Sequence, residues 1–95
     1  MEDKKSYLQR LSAQMMAWDT EIQKLQLKAS SIKAEAQADY QKQLEDLRTK
    51  RQAAEKKLKE LREAGDDAWD EVKRGVDKSW MELKTAIEGA IAKFK

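Results

Sequence analysis

A hydrophobic stripe at helical spacing runs along the chain and changes its period partway. In the C-terminal part its positions step by 3, 4 and 4 residues and so repeat every 11 residues, whereas upstream steps of 3 and 4 mostly alternate, which is the heptad pattern. A heptad lies slightly below the natural helical repeat, and an 11-residue period lies slightly above it. The pattern therefore predicts a coiled coil that straightens toward its C-terminus. The 11-residue stripe comprises Leu58, Leu61, Gly65, Trp69, Val72, Val76, Trp80, Leu83, Ile87, Ile91 and Phe94.

Composition restricts the classes of protein that this chain can belong to. Charged residues make up 40% of the 95 residues, and the chain has no proline, cysteine or histidine and only three glycines. Such a composition is typical of long helices, and the regular apolar spacing argues against disorder. Without cysteine or histidine, the chain lacks the usual nucleophile, general base and soft metal ligands. We therefore expect no enzymatic activity, no catalytic residue, no metal site and no cofactor.

The segment 1–64 has the spacing of a long heptad-type coiled-coil helix. A run of steps of four between Ile32 and Leu44 shifts the register by one residue. No glycine or proline lies nearby, and neither Ser30 nor Ser31 is followed three positions later by the acidic or amide residue of a capping box. We therefore predict one continuous helix over about residues 5–64, roughly 90 Å long. The alternative is a turn near residues 29–33 and a compact three-helix bundle.

A second boundary is better marked and separates the segment 65–95. Gly65 is suited to a left-handed helix cap, and Asp70 with Glu71 would place negative charge in the first turn of a following helix. We predict a break or kink at residues 65–67 and a helix over about residues 67–94. The predicted fold is all-α: a long coiled-coil helix plus a C-terminal amphipathic helix, arranged as a helical hairpin or an oligomeric bundle.

Charged side chains suggest two further sites. Residues 48–62 contain seven basic and two acidic side chains, but no aromatic residue interleaves with them, so we interpret them as a solvated helix face and do not expect nucleic-acid binding. Within this stretch Arg51 occupies a core position of the heptad. It is expected either to extend its charged end to the surface or to fix the helix register.

The C-terminal helix carries the candidate interaction surface. An apolar arc of this kind must pack against a partner helix or a lipid interface. Residues 66–95 carry seven acidic and six basic side chains, which does not favour an anionic membrane, and small residues such as Gly75 and Ala86 line one edge. We therefore predict packing against protein, with a membrane surface as the alternative. The interaction stripe comprises Trp69, Val72, Val76, Trp80, Leu83, Ile87, Ile91 and Phe94.

Residues 11–25, with Trp18 and Asp19 followed by Ile22 and Leu25, and residues 68–83, AWDEVKRGVDKSWMEL, together resemble a family of small bacterial coiled-coil proteins. The resemblance implies a long charged helix followed by a tryptophan-bearing helix in a cytosolic bacterial protein, with no catalytic residues. The charged N-terminus is not expected to act as a secretory signal. We expect a structural or scaffolding protein that forms homo-oligomers or binds a helical protein partner. The alternative is a cytoplasmic protein peripheral to the membrane, acting through its C-terminal helix in envelope stress.

Overall fold

The chain forms three α-helices that fold back on one another. The computed structural model describes residues 3–93, with α1 at Lys4–Ala29, α2 at Ala34–Glu63 and α3 at Trp69–Lys93. Contacts between the ends of the helices place α1 and α3 parallel to each other and α2 antiparallel to both. The Cα atoms span 51 × 17 × 17 Å, the shape of an elongated bundle. The all-α prediction is confirmed.

The predicted continuous helix over residues 5–64 is wrong. The chain reverses direction at residues 30–33, between α1 and α2, so no single helix approaches the predicted length. What forms is the alternative, a three-helix bundle with a turn near residues 29–33. Folding back lets the apolar face of α1 pack on the rest of the chain, which an isolated extended helix could not do.

Side chains satisfy the backbone at this turn without the help of glycine or proline. The side-chain nitrogen Nε2 of Gln37 donates to the carbonyl oxygens of Ala29 at 2.7 Å and Ile32 at 2.8 Å. The hydroxyls of Ser30 and Ser31 each donate, at 2.9 Å, to a carbonyl three residues earlier. Because the last carbonyls of a helix lack partners within the helix, these bonds allow α1 to end where the sequence shows no stop signal.

The second break falls where it was predicted, but its geometry differs. Helix α2 ends at Glu63 and α3 begins at Trp69, with Asp70 and Glu71 in the first turn. Gly65 does not adopt the left-handed conformation; instead Ala64 has extended backbone, with φ −71° and ψ 135°. The chain therefore leaves α2 without using the conformational freedom of the glycine.

One continuous apolar core fills the space between the helices. Within residues 3–93, no buried side chain is charged, and the buried positions of α3 step by 4, 3, 4 and 3 residues. Burial on α3 therefore follows heptad spacing through Ala90, and Ile91, a position of the 11-residue stripe, is only partly buried. The core comprises Tyr7, Leu11, Met15, Trp18, Ile22, Leu25 and Ala29 of α1, Tyr40, Leu44, Leu47, Ala54, Leu58 and Leu61 of α2, and Val76, Trp80, Leu83, Ile87 and Ala90 of α3.

Candidate interaction surface

The predicted interaction stripe of α3 lies against the other two helices of the same chain. Four members are buried: Val76, Trp80, Leu83 and Ile87. Three others are partly buried and pack against the core: Trp69, Val72 and Ile91. Phe94 lies outside the described residues. In this bundle the four buried members thus form an internal surface, and another molecule can reach them only if a helix is displaced.

Aromatic side chains fill the contact between α1 and α3. The rings of Tyr7 and Trp69 meet edge to face with centroids 6.0 Å apart, and those of Trp18 and Trp80 are tilted by 44° with centroids 5.7 Å apart. These four residues are called the aromatic seam below. Members of each pair are 62 positions apart in the sequence, and the two pairs are 11 residues apart along both helices. Such pairs contribute about 0.5–1.5 kcal/mol beyond the area that they bury.

Polar contacts join the ends of α1 and α3. The hydroxyl of Tyr7 donates to Asp77 Oδ1 at 2.5 Å. The ammonium of Lys4 lies 5.0 Å from the ring centroid of Trp69 and also pairs with Asp66. The hydrogen bond that Lys4 donates to Asp66 lowers the pKa of the Asp66 carboxyl. Because Asp66 is well exposed, its ion pair contributes little to stability.

Farther along the seam, one polar atom lacks a partner. Trp80 is only 7% exposed, and its indole Nε1 has no hydrogen-bond acceptor among the described residues. A groove of about 390 Å³ lies beside it between α1 and α3, with Trp18 and Met81 among its lining residues. A buried donor without an acceptor costs about 1–3 kcal/mol. The aromatic seam therefore contains a buried hydrogen-bond donor without an acceptor, which lowers its contribution to stability.

The contact between α1 and α2 is held by an ion pair. The guanidinium of Arg51 donates from Nε and Nη2 to the two carboxylate oxygens of Asp19, at 2.8 and 3.0 Å, and also pairs with Glu55. The hydrogen bond to Asp19 is the largest of the effects that raise the pKa of Arg51. The side chain of Arg51 is 29% exposed, so its charged end reaches the surface, as one of the two expectations had it. Its bidentate geometry also fixes how α1 lies on α2.

Helix α2 occupies the small-residue edge of the stripe. A Cβ atom at Gly75 would lie 3.8 Å from Lys57 Cδ of α2, and Ala86 packs against the core. A spacing of 3.8 Å is ordinary van der Waals contact. The approach of α2 at this point therefore leaves room for a methyl group.

A second groove lies at the end of the bundle where α1 begins. Its volume is about 680 Å³, and its lining is largely apolar, with Leu8, Met16 and Trp69 among its residues. Lys5 and Arg62 also line it. Exposed Met16 extends this apolar surface. The groove thus combines apolar surface with positive charge.

The described residues contain neither a metal-binding cluster nor a membrane-spanning helix. No three His, Cys, Asp or Glu side chains of residues 3–93 are grouped so that they could hold a metal ion. None of the three described helices is long and apolar enough to span a bilayer. Comparison with protein-family models, curated proteins and solved structures finds no match to this chain.

Two contributors were missed in the sequence, Tyr7 in the aromatic seam and Gln37 at the turn between α1 and α2. Tyr7 lies four residues before Leu11, in phase with the stripe, so its spacing could have identified it. Gln37 gave no such signal, because its role depends on the position of the turn that it closes.

Proposed function

We propose that this chain is a non-enzymatic scaffolding protein that acts by associating with other helices, either in homo-oligomers or with a helical protein partner. The observation that carries the proposal is the coverage of the α3 stripe by two helices of its own chain. Each helix presents an apolar face of similar spacing, so a helix from another molecule can replace one of them. By the resemblance noted above, we place this association in the bacterial cytoplasm.

Helix α1 is the element best suited to such a replacement. Helix α3 packs more extensively on α2 than on α1. Between α1 and α3, the aromatic seam includes the unpartnered indole nitrogen of Trp80. Breaking this side of the bundle therefore leaves the α2–α3 hairpin with most of its contacts. The vacated surface on the hairpin is apolar and matches an amphipathic helix.

A second candidate function is binding to a membrane surface. The groove at the start of α1 favours it, because half-buried Trp69 and exposed Met16 lie beside Lys5 and Arg62 there. Tryptophan and lysine are enriched where proteins meet the headgroup layer, and basic clusters attract anionic lipids. This contact would not require the α3 stripe to be uncovered.

Sedimentation velocity over a range of concentrations, combined with tryptophan emission, tests both candidates. The scaffolding proposal predicts association that grows with concentration, with little change in emission, because the indoles exchange one helical environment for another. The membrane candidate predicts a monomer that sediments with anionic vesicles but not with zwitterionic ones, with a blue shift. In that case Lys5→Glu should weaken vesicle binding, whereas Lys59→Glu, an exposed position outside the groove, should weaken it less.

Two results would contradict the scaffolding proposal. A protein that stays monomeric at every concentration and captures no helical partner would overturn it. Concentration-dependent association that persists after the bundle is unfolded would show aggregation rather than helix packing.

A further inference from the structure

We propose that the turn at residues 30–33 is a hinge, and that a second copy of this chain is the partner: two molecules exchange their α1 helices to form a dimer. In this exchanged dimer, α1 continues directly into α2 within each chain, and each α1 packs on the α2–α3 hairpin of the other copy. The inference rests on the proposed function and names its partner. It concerns an additional, dimeric state, since the monomer has the turn described above.

The backbone of the turn is close to helical already. None of its residues has positive φ, and Ser30 is in the helical region with φ −68° and ψ −18°. The nitrogens of Ser31 and Ile32 donate to carbonyls three residues earlier, as in a tightened helix. Lys33 has φ −61°, within the helical range, and departs from a helix in its ψ of 148°. The turn can therefore become helical without forcing any residue into an unfavourable conformation.

The local sequence favours that conversion. Six of the ten residues 29–38 are alanine or serine, and the four alanines of this segment are strong helix formers. In the exchanged dimer the two long helices cross near this segment, where small side chains permit close approach. Proteins with short hinges of this kind exchange elements between identical copies at low energetic cost.

Gln37 acts as the latch of the closed turn. Its side-chain nitrogen holds the carbonyls of Ala29 and Ile32. In a continuous helix those carbonyls would instead accept from the backbone nitrogens of Lys33 and Ala36, four residues on. The side-chain bonds therefore stabilise the monomer, and backbone bonds replace them in the exchanged dimer.

An opened α1 has one surface that fits it. Seven buried residues of α1 lose their cover when it leaves the bundle, and the hairpin loses the same contacts. The matching surface exists on the hairpin of a second opened copy, where Trp80 meets Trp18 and Arg51 meets Asp19. Exchange therefore restores every interhelical contact of the monomer and changes only the turn.

Two substitutions shift the balance in opposite directions. Ala34→Pro places proline at the first position of α2, where it is tolerated after extended Lys33, but it would interrupt a continuous helix. It should abolish the dimer and leave the monomer folded. Gln37→Ala removes the latch from both chains and should therefore lower the dimer dissociation constant by about 30-fold or more. Gln41→Ala, an exposed position on the same helix, is the matched control and should have no such effect.

Spin labels report which dimer forms. Exposed Ala13 and Lys59 lie at the same level of α1 and α2, since Ser12 and Arg62 nearby share a 2.6 Å hydrogen bond. The chain has no natural cysteine, so both positions can be labelled after replacement by cysteine. Labelled chains are refolded at high concentration with excess unlabelled chain, and the dimer is isolated. Exchange predicts an intramolecular separation of about 70 Å, against roughly the 10 Å axis spacing of neighbouring helices in the monomer.

The outcomes separate the two proposals. A dimer with the long separation that Ala34→Pro abolishes supports exchange. A dimer that keeps the short separation and is unaffected by Ala34→Pro overturns exchange but leaves helix association standing. If Gln37→Ala and the wild-type chain both stay folded and monomeric after refolding at high concentration, exchange is overturned and self-association with it.

Discussion

Trp18 of α1 and Trp80 of α3 pack with ring centroids 5.7 Å apart, although 62 positions separate them in the sequence. Eleven residues earlier on each helix, Tyr7 packs on Trp69. Both pairs keep the same offset, so α1 and α3 run parallel and in register across the aromatic seam. The tryptophans of the C-terminal helix thus have partners inside the chain. This explains how a monomer can cover the apolar face of this amphipathic helix.

We expect Trp80→Ala to lower the free energy of unfolding by about 3–5 kcal/mol, because it leaves a large cavity in the core. Trp80→Phe should cost less, about 1–2 kcal/mol, because the indole nitrogen that it removes has no acceptor. Met81→Ala, at the exposed next position, should change stability by no more than about 0.5 kcal/mol. Denaturant titration measures all three. Equal losses for the alanine and phenylalanine variants would mean that the nitrogen has a partner.

A double-mutant cycle on Arg51 and Asp19 should give a coupling free energy of about 1 kcal/mol, allowing for solvent screening of these partly exposed side chains. The exposed pair Asp46 and Lys50 within α2 is the comparison and should give about 0.4 kcal/mol. Alanine variants and urea unfolding supply both cycles. If the two couplings are equal, the bidentate pair does not fix how α1 lies on α2.

Tyr40 should make the fold sensitive to alkali. Its side chain is fully buried, and its hydroxyl donates to the carbonyl oxygen of Leu25 at 2.5 Å. Burial raises the pKa of Tyr40 above its ordinary value of about 10. Its contribution to stability is therefore complete below about pH 10 and declines as the pH rises from there through the pKa of the folded state.

Tyr40→Phe is the variant that tests this dependence. It should remove part of the decline in unfolding free energy above about pH 10, where the buried hydroxyl of Tyr40 contributes less to stability as the pH rises. Denaturant unfolding at each pH measures the change. Parallel profiles for the wild-type chain and Tyr40→Phe would show that Tyr40 is not the cause.

The helical glycines of α3 should be replaceable. A Cβ at Gly89 would meet nothing within 4 Å, and one at Gly75 would make only an ordinary contact with Lys57. We expect Gly75→Ala and Gly89→Ala each to raise the unfolding free energy by about 0.5–1 kcal/mol through better helix propensity. The effects should add, since the sites are distant. A loss of stability in Gly75→Ala alone would mean that α2 lies closer than 3.8 Å.

The helical fold could be predicted from the local spacing of apolar residues, and the break before α3 from the residues around Gly65. The turn between α1 and α2 was the alternative rather than the preferred prediction, because it is closed by Gln37, a side chain four residues beyond it, and not by glycine or proline. The pairing of Arg51 with Asp19 joins residues 32 positions apart, which no local pattern identifies. The stripe was found as a surface, but its cover within the same chain depends on that turn.

Small-angle X-ray scattering of the dilute chain, with monomeric mass verified by light scattering, tests the central claim most directly. That claim is that the chain turns at residues 30–33 and covers its own α3 stripe. The structure predicts a radius of gyration near the 15.4 Å of its Cα atoms and a longest dimension near 51 Å, each increased slightly by side chains and hydration. Ala34→Pro should give the same curve. A monomer with a longest dimension of about 90 Å, the length of a continuous helix through both segments, would contradict the account.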